Sequence, residues 1–211
     1  MSIKLPKKGL KVAHLNICSL KNKVIELRKI MSENDLHIVA ISETHLDDSI
    51  DNTEVSIQGH NIIRRDRNIH GGGVAFFVQY HIPFKRRGDF ELPDVEAIWI
   101  QVHLPHIKPL LVCCCYRPPA SDAAYLGKIC TMLQKVSDTD REIYFLGDVN
   151  VDWLSKNCPM KRKLNDTATV CNLVQMINIP TRINLNKSGV LSSTCIDHLF
   201  TNSADKCSKS I

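Results

Sequence analysis

The sequence predicts a mixed α and β fold in which two β-sheets pack face to face with helices outside. Three observations carry that expectation. Apolar runs of strand character outnumber segments of helical spacing, the runs are short, and the helical segments fall irregularly between them. With 211 residues, 44% hydrophobic and 23% charged, the chain can bury a substantial core and needs no more than one domain, here taken as residues 1–211.

The elements follow in chain order. Residues 9–17, GLKVAHLNI, alternate as an opening strand with Asn16 near its end. A helix is predicted over 21–33 from the spacing of Val24, Leu27, Ile30 and Met31, and Asn34 with Asp35 breaks it. Residues 37–44, HIVAISET, form a short buried strand closing in Glu43. Residues 61–66 and the run 71–78, GGGVAFFV, read as a strand, a tight turn and a second strand. The three glycines are not a nucleotide-binding loop, because neither a lysine-serine pair nor a helical pattern follows them. Residues 95–103 alternate with period two. Residues 110–116 are a further strand that must stop near Tyr116, since Pro118 cannot donate to a ladder. A second helix is predicted over 122–135 on Tyr125, Leu126, Ile129, Met132 and Leu133. A core strand from Ile143 stops at Gly147. A third helix is predicted over 160–178, with Leu164, Val170, Leu173, Val174 and Ile177 as its stripe, and a last strand over 193–200.

Composition narrows the function classes. Nine cysteines, an odd number with no CxxC pair, support neither a disulfide framework nor a paired-cysteine zinc centre, and point to a reducing compartment, cytosol or nucleus. Cys113, Cys114 and Cys115 read as small apolar strand residues. The N-terminal lysines Lys4, Lys7 and Lys8 precede no apolar leader core, and the longest apolar run, near 110–115, is too short to span a bilayer. The net charge of +5 is clustered, at Lys7, Lys8 and Lys11, at Arg64, Arg65 and Arg67, at Lys85, Arg86 and Arg87, and at Lys161, Arg162 and Lys163. Such clusters suit a polyanion whose phosphates they neutralise, although a single cluster is also ordinary solvated surface. The cations opening the third helix sit poorly against the positive end of its dipole, and an external anion there would ease the conflict.

The chemistry concentrates at REIYFLGDVNVDW, residues 141–153, where an apolar strand ends in a glycine followed by short polar groups. Side chains two apart on an extended backbone share a face, which would put Asp148 beside Asn150. A carboxylate that holds a water and an amide that donates to a charged oxygen are what phosphoryl hydrolysis needs. The same two residue types also close strands with an Asx turn.

Asn16, Glu43, Tyr116, Asp148, Asn150 and Asp197 all fall at predicted strand ends, in LNI, ISET, YRPP, GDVN and CIDHLFTN. In that order they resemble the endonuclease/exonuclease/phosphatase family. YRPP with GDVNVDW, PTRI and SSTCIDHLFTN is most similar to the endonuclease domain of non-LTR, LINE-type retrotransposons. The resemblance spans residues 10–202. It implies a deoxyribonuclease-I-like four-layered α/β sandwich of two mostly antiparallel sheets. It further implies that Glu43 holds Mg²⁺, with Mn²⁺ as an alternative, and that Asn16 lies in the metal's surroundings. By the same resemblance Asp148 orients or deprotonates the attacking water, Asn150 donates to the phosphate oxygen, and Tyr116, with Arg117 beside it, contacts the scissile phosphate. Asp197 orients a catalytic histidine in family members.

That histidine belongs to a Ser-Asp-His signature, which the sequence, ending in ADKCSKSI, does not contain. A domain incomplete at its C-terminus, lacking a last strand and loop, is therefore expected. His198 would point away from the face of Asp197 and is not a substitute. The implied partner is DNA, contacted by Arg117, Arg64, Arg65, Lys161 and Arg162. A reverse transcriptase domain of the same polyprotein is a further conceivable partner, the module itself being a monomer with no membrane association. Two alternatives remain beside an active nicking enzyme: a truncated, catalytically impaired remnant that at most binds nucleic acid, and a phosphoesterase on the same fold.

Overall fold

The computed structural model describes residues 9–185 and 191–208; Lys4, Lys7 and Lys8 of the N-terminal basic cluster lie outside them. Its elements are β1 Val12–Asn16, α1 Leu20–Asn34, β2 Ile38–Ser42, β3 His60–Arg65, β4 Val74–Gln79, β5 Phe84–Arg86, β6 Glu96–Val102, β7 Leu110–Tyr116, α2 Ala123–Ser137, β8 Ile143–Asp148, α3 Pro159–Val170, β9 Val174–Gln175, β10 Arg182–Leu185, β11 Leu191–Thr194 and β12 Asp197–Thr201.

Two sheets form the body. The first has the order β1-β2-β4-β3 and the second β5-β6-β7-β8-β12-β9, while β10 and β11 make a separate hairpin. Pairing is antiparallel except for β1 with β2 and β7 with β8. Because strand side chains alternate, each sheet has an inner and an outer apolar face. The inner faces meet through Ile38, Ala40, Phe76 and Val78 of the first sheet and Ile98, Ile100, Val112 and Leu146 of the second. On the outer face of the first sheet, Leu20, Val24, Leu27 and Met31 of α1 cover Val39, Ile41 and Phe77. On the outer face of the second, α2 and α3 cover Trp99, Cys113, Cys115 and Phe145. The layers are thus helix, sheet, sheet and helix, the four-layered sandwich expected. Each large apolar side chain buried there, such as Trp99 or Phe76, contributes about 1.5–3 kcal/mol.

The helices have identifiable ends. Asp122 caps α2 by accepting from the Tyr125 N–H at 2.9 Å, and Pro159 opens α3, where a missing N–H costs nothing. α3 is shorter than the periodicity predicted. Asn172 adopts a left-handed conformation (φ 53°) and the Leu173 N–H closes back on the Ala168 carbonyl at 2.8 Å, a Schellman-type stop. Leu173 still packs in the outer core, but Val170 and Val174 are exposed, and Gln175 pairs with Phe200 as β9. The last predicted strand is two. Residues 191–194 pair with β10, the chain turns at Cys195 and Ile196, whose carbonyls accept from Trp153 and Val149, and β12 then enters the large sheet. An unbroken apolar alternation cannot reveal such a change of partner.

β8 runs through Gly147 rather than stopping there. A Cβ at 147 would overlap the Cys115 carbonyl of the parallel neighbour β7, so glycine permits the close approach that carries the strand on to Asp148. The glycine run 71–73 also has a structural task. Gly72 and Gly73 have positive φ, and their carbonyls accept from the His45 and Thr44 N–H groups at 3.0 and 3.2 Å, holding the loop that follows β2.

Candidate active site

Strand register sets out the site before any side chain is considered. Asn16 pairs with Ser42, immediately before Glu43, at the end of the first sheet. On the second sheet Asp197, Asp148 and Tyr116 stand in one row, through the pairs Asp197 with Asp148 and Tyr116 with Asp148. The two rows face one another, and a single amide joins them. Asn16 Nδ2 donates to Glu43 Oε1 at 2.9 Å and to Asp148 Oδ2 at 2.8 Å.

Asp148 is 2% exposed, and burial, followed by the neighbouring carboxylate of Asp197, pushes its pKa up to about 7. Glu43 adds to the rise, while the Asn16 amide and the Asn150 N–H oppose it. Tyr116 is almost wholly buried, and burial together with the nearby Glu43 carboxylate raises its ionisation well above the usual range. The Arg67 guanidinium lies 5.8 Å from the centre of its ring.

Asn150 is not positioned by simple alternation. It is left-handed (φ 49°), and its N–H donates to Asp148 Oδ1 at 3.0 Å, so the carboxylate closes an Asx turn at one oxygen while facing Asn16 with the other. One N–H of the Asn150 amide donates to the Arg117 carbonyl at 2.8 Å. Arg117 itself is fully buried beneath this turn. Its guanidinium donates to the Val149 and Asn150 carbonyls, each at 3.3 Å, and to the Ser121 carbonyl, bracing the loop from inside rather than facing solvent.

The imidazole facing Asp197 is one that the motifs did not single out. His14 Nδ1 lies 3.6 Å from Asp197 Oδ1, and His14 Nε2 is 3.1 Å from Ser42 Oγ. Burial lowers the pKa of this histidine against the pull of Asp197. The signal was present in the sequence, because His14 lies two residues before Asn16 on the same strand and so shares its face. His198 lies in the core instead. Its Nε2 donates to the Val151 carbonyl at 3.0 Å, its ring stacks on Phe200, and burial pushes its pKa down to about 4.

The basic candidates are largely engaged within the fold. Arg64 donates to the Asp47 and Ile50 carbonyls and to Asp66, and Arg65 to the Leu92, Pro93 and Ala97 carbonyls. Lys161 donates to the Ser155 carbonyl at 2.9 Å and lies 5.5 Å from the centre of the Trp153 ring, so much of the conflict at the start of α3 is eased internally. Arg162 and Lys163 are exposed.

Three carboxylates and an amide with so little intervening cation make an oxygen-rich, negatively charged pocket. That donor set fits a hard divalent cation, with Glu43 and Asn16 as the residues to hold it. All nine cysteines are free, and burial pushes the thiols of Cys113, Cys114 and Cys115 up. No helix among the described residues is long and apolar enough to cross a membrane.

The comparisons with known proteins bear on the fold that carries this site. Solved structures of similar fold include the endonuclease domain of TRAS1, a telomere-specific non-LTR retrotransposon (16% identity, 93% of this chain and 86% of that chain, TM-score 0.72). A 3′ phosphatase from Neisseria bound to a product DNA hairpin (13%, 93% and 88%, 0.70) and a mannosyl-6-phosphatase from Bacteroides thetaiotaomicron (13%, 93% and 86%, 0.63) are also similar. At these identities the likeness is one of fold. No curated protein matches the chain in sequence. Residues 13–208 match the model of the endonuclease/exonuclease/phosphatase family, whose enzymes generally depend on a divalent metal ion. The chain therefore belongs to the endonuclease/exonuclease/phosphatase family.

Proposed function

We propose that this chain is an Mg²⁺-dependent DNA endonuclease module of a non-LTR retrotransposon, nicking one strand of target DNA by phosphodiester hydrolysis. The observation that carries this reading is the Asn16 amide, which holds Glu43 and Asp148 together from opposite sheets. The retrotransposon part rests on the motifs YRPP, GDVNVDW, PTRI and SSTCIDHLFTN and on the likeness in fold to the TRAS1 domain.

The residues divide the work. Glu43 and Asn16 would hold the metal ion, whose chemistry when bound is to stabilise charge on the phosphate oxygens. Asp148 accepts a hydrogen bond, and then the proton, from the attacking water; a bond forms from water oxygen to phosphorus as the bond to the 3′ oxygen breaks, and the departing 3′ oxygen takes a proton from solvent, leaving a 3′ hydroxyl and a 5′ phosphate. Asp148 is oriented for this by the Asn16 amide and the Asn150 N–H, which fix its two oxygens separately. Tyr116 keeps its proton at neutral pH and is a donor for a phosphate oxygen, as is the second N–H of the Asn150 amide. Asp197, paired with His14, sets the negative edge of the pocket.

A supercoiled plasmid incubated with Mg²⁺ tests the reading. Open circles should accumulate with the unaltered chain and fall by about 10²–10⁴-fold with Asp148→Ala. Equal product from both proteins would overturn it. An intact plasmid alongside turnover of a small phosphate monoester would move the chemistry to a phosphoesterase.

A further inference from the structure

Glu43 has two oxygens, and they face different neighbours. Oε1 accepts from Asn16 on the side of Asp148, whereas Oε2 lies 3.5 Å from His45 Nε2. Cys18 stands close to both Glu43 and His45. The Cys18 sulfur, a Glu43 carboxylate oxygen and a His45 ring nitrogen all lie within 4.8 Å of one another. The three residues come from two loops that are tied together, since the Ser19 and Leu20 N–H groups donate to the Glu43 and Thr44 carbonyls, each at 2.9 Å. The glycine run fastens the second loop from below through its bonds to Thr44 and His45. All three residues have left-handed φ, 48°, 55° and 52°, so the cluster is held by tertiary bonds rather than by local preference.

We propose that Cys18, Glu43 and His45 form a second metal site, for a borderline-soft divalent ion of the Zn²⁺ class. A thiolate, an imidazole and a carboxylate are the donors such an ion selects, while a hard ion such as Mg²⁺ avoids sulfur. Three protein ligands with an exposed sulfur leave a fourth position for water. This is not the paired-cysteine centre that the sequence spacing excludes. The shared carboxylate gives the site its consequence. An ion drawn to Oε2 withdraws Glu43 electron density from Oε1 and sets a second dication beside the first, so Zn²⁺ antagonises Mg²⁺ at the nuclease pocket. That antagonism rests on the function proposed above, whereas the binding itself does not.

Cobalt(II) is the probe for binding, because a thiolate ligand gives it a charge-transfer absorption in the near ultraviolet. The purified chain should develop that absorption and lose it on addition of Zn²⁺; Cys18→Ser should lack the band, and His45→Ala, deprived of a direct ligand, should need at least about 10-fold more cobalt to develop it, the loss that even an outer partner of a ligand causes. Zn²⁺ should also shield Cys18 from alkylation by iodoacetamide, read by peptide mass in the unaltered protein, so the result does not depend on a variant folding. No charge-transfer band, an undiminished band in Cys18→Ser, or unshielded Cys18 would each overturn the site. In the plasmid assay with Mg²⁺, micromolar Zn²⁺ should slow nicking by the unaltered chain more than by Cys18→Ser, each relative to its own zinc-free rate; equal slowing overturns the antagonism. A chain that shows the cobalt band yet never nicks DNA would retain the site and lose the proposed function.

Discussion

At Asp148, a carboxylate sits where water is nearly excluded and two other carboxylates are close, and its pKa is pushed from 3.8 up to about 7. A carboxyl group whose folded pKa is raised stabilises the fold below its unfolded pKa and forfeits that contribution as pH rises through the folded one. At pH 8 in EDTA, therefore, Asp148 is charged at the expense of stability. Asp148→Asn should unfold at a higher temperature there, by about 1–3 kcal/mol of added stability, while nicking disappears. The advantage should vanish near pH 4, where both side chains are neutral; an equal gain at both pH values would mean that charge is not its cause. Residues of this kind were unequally legible. Asn16, Glu43, Tyr116, Asp148 and Asp197 could be named because each stands in a short motif at or beside a strand end. His14 shares the face of Asn16 and could have been suspected on that ground, but that it faces Asp197, and that Cys18 lies near Glu43, follows only from pairing with distant chain. Arg117 was expected to contact phosphate beside Tyr116, and only the packed loop reveals it as an internal brace.

At the scale of elements, most strands were readable because alternation and apolar runs are local properties, and their ends moved by three residues or fewer, while the short edge strand β5 was missed. What failed was the end of α3, where a left-handed Asn172 overrides a continuing apolar stripe, and the division of the last strand between two partners. The pairing of β7 with β8 is the element-level feature on which the site depends. Gly147→Ala places a methyl group against the Cys115 carbonyl, and β8 can avoid it only by separating from β7. A cost of about 2–4 kcal/mol is expected in urea unfolding, with loss of the Tyr116 and Asp148 register and of nicking. Unchanged stability would mean that β8 accommodates a side chain where the backbones are closest.

For the molecule as a whole, burial within four layers favours polar groups that are neutral and bonded. His198 meets this between the Val151 carbonyl and Gln175, with a folded pKa of about 4 against 6.5. A histidine depressed in this way binds its proton more readily in the unfolded chain, so its contribution is intact above about 6.5 and is lost as pH falls towards 4, by up to about 3 kcal/mol. Burial lowers His14 in the same direction. Denaturant midpoints measured from pH 7 to pH 4 should fall steeply, and less steeply for His198→Gln; parallel curves would assign acid lability to other groups.

The bond from Asn16 to Asp148 spans 132 positions of chain and crosses from one sheet to the other. A half-made molecule with either sheet alone has donors or acceptors at that rim but not the pair. The bond therefore exists only where both sheets are in place, and a chain in which either is unravelled lacks the assembled rim.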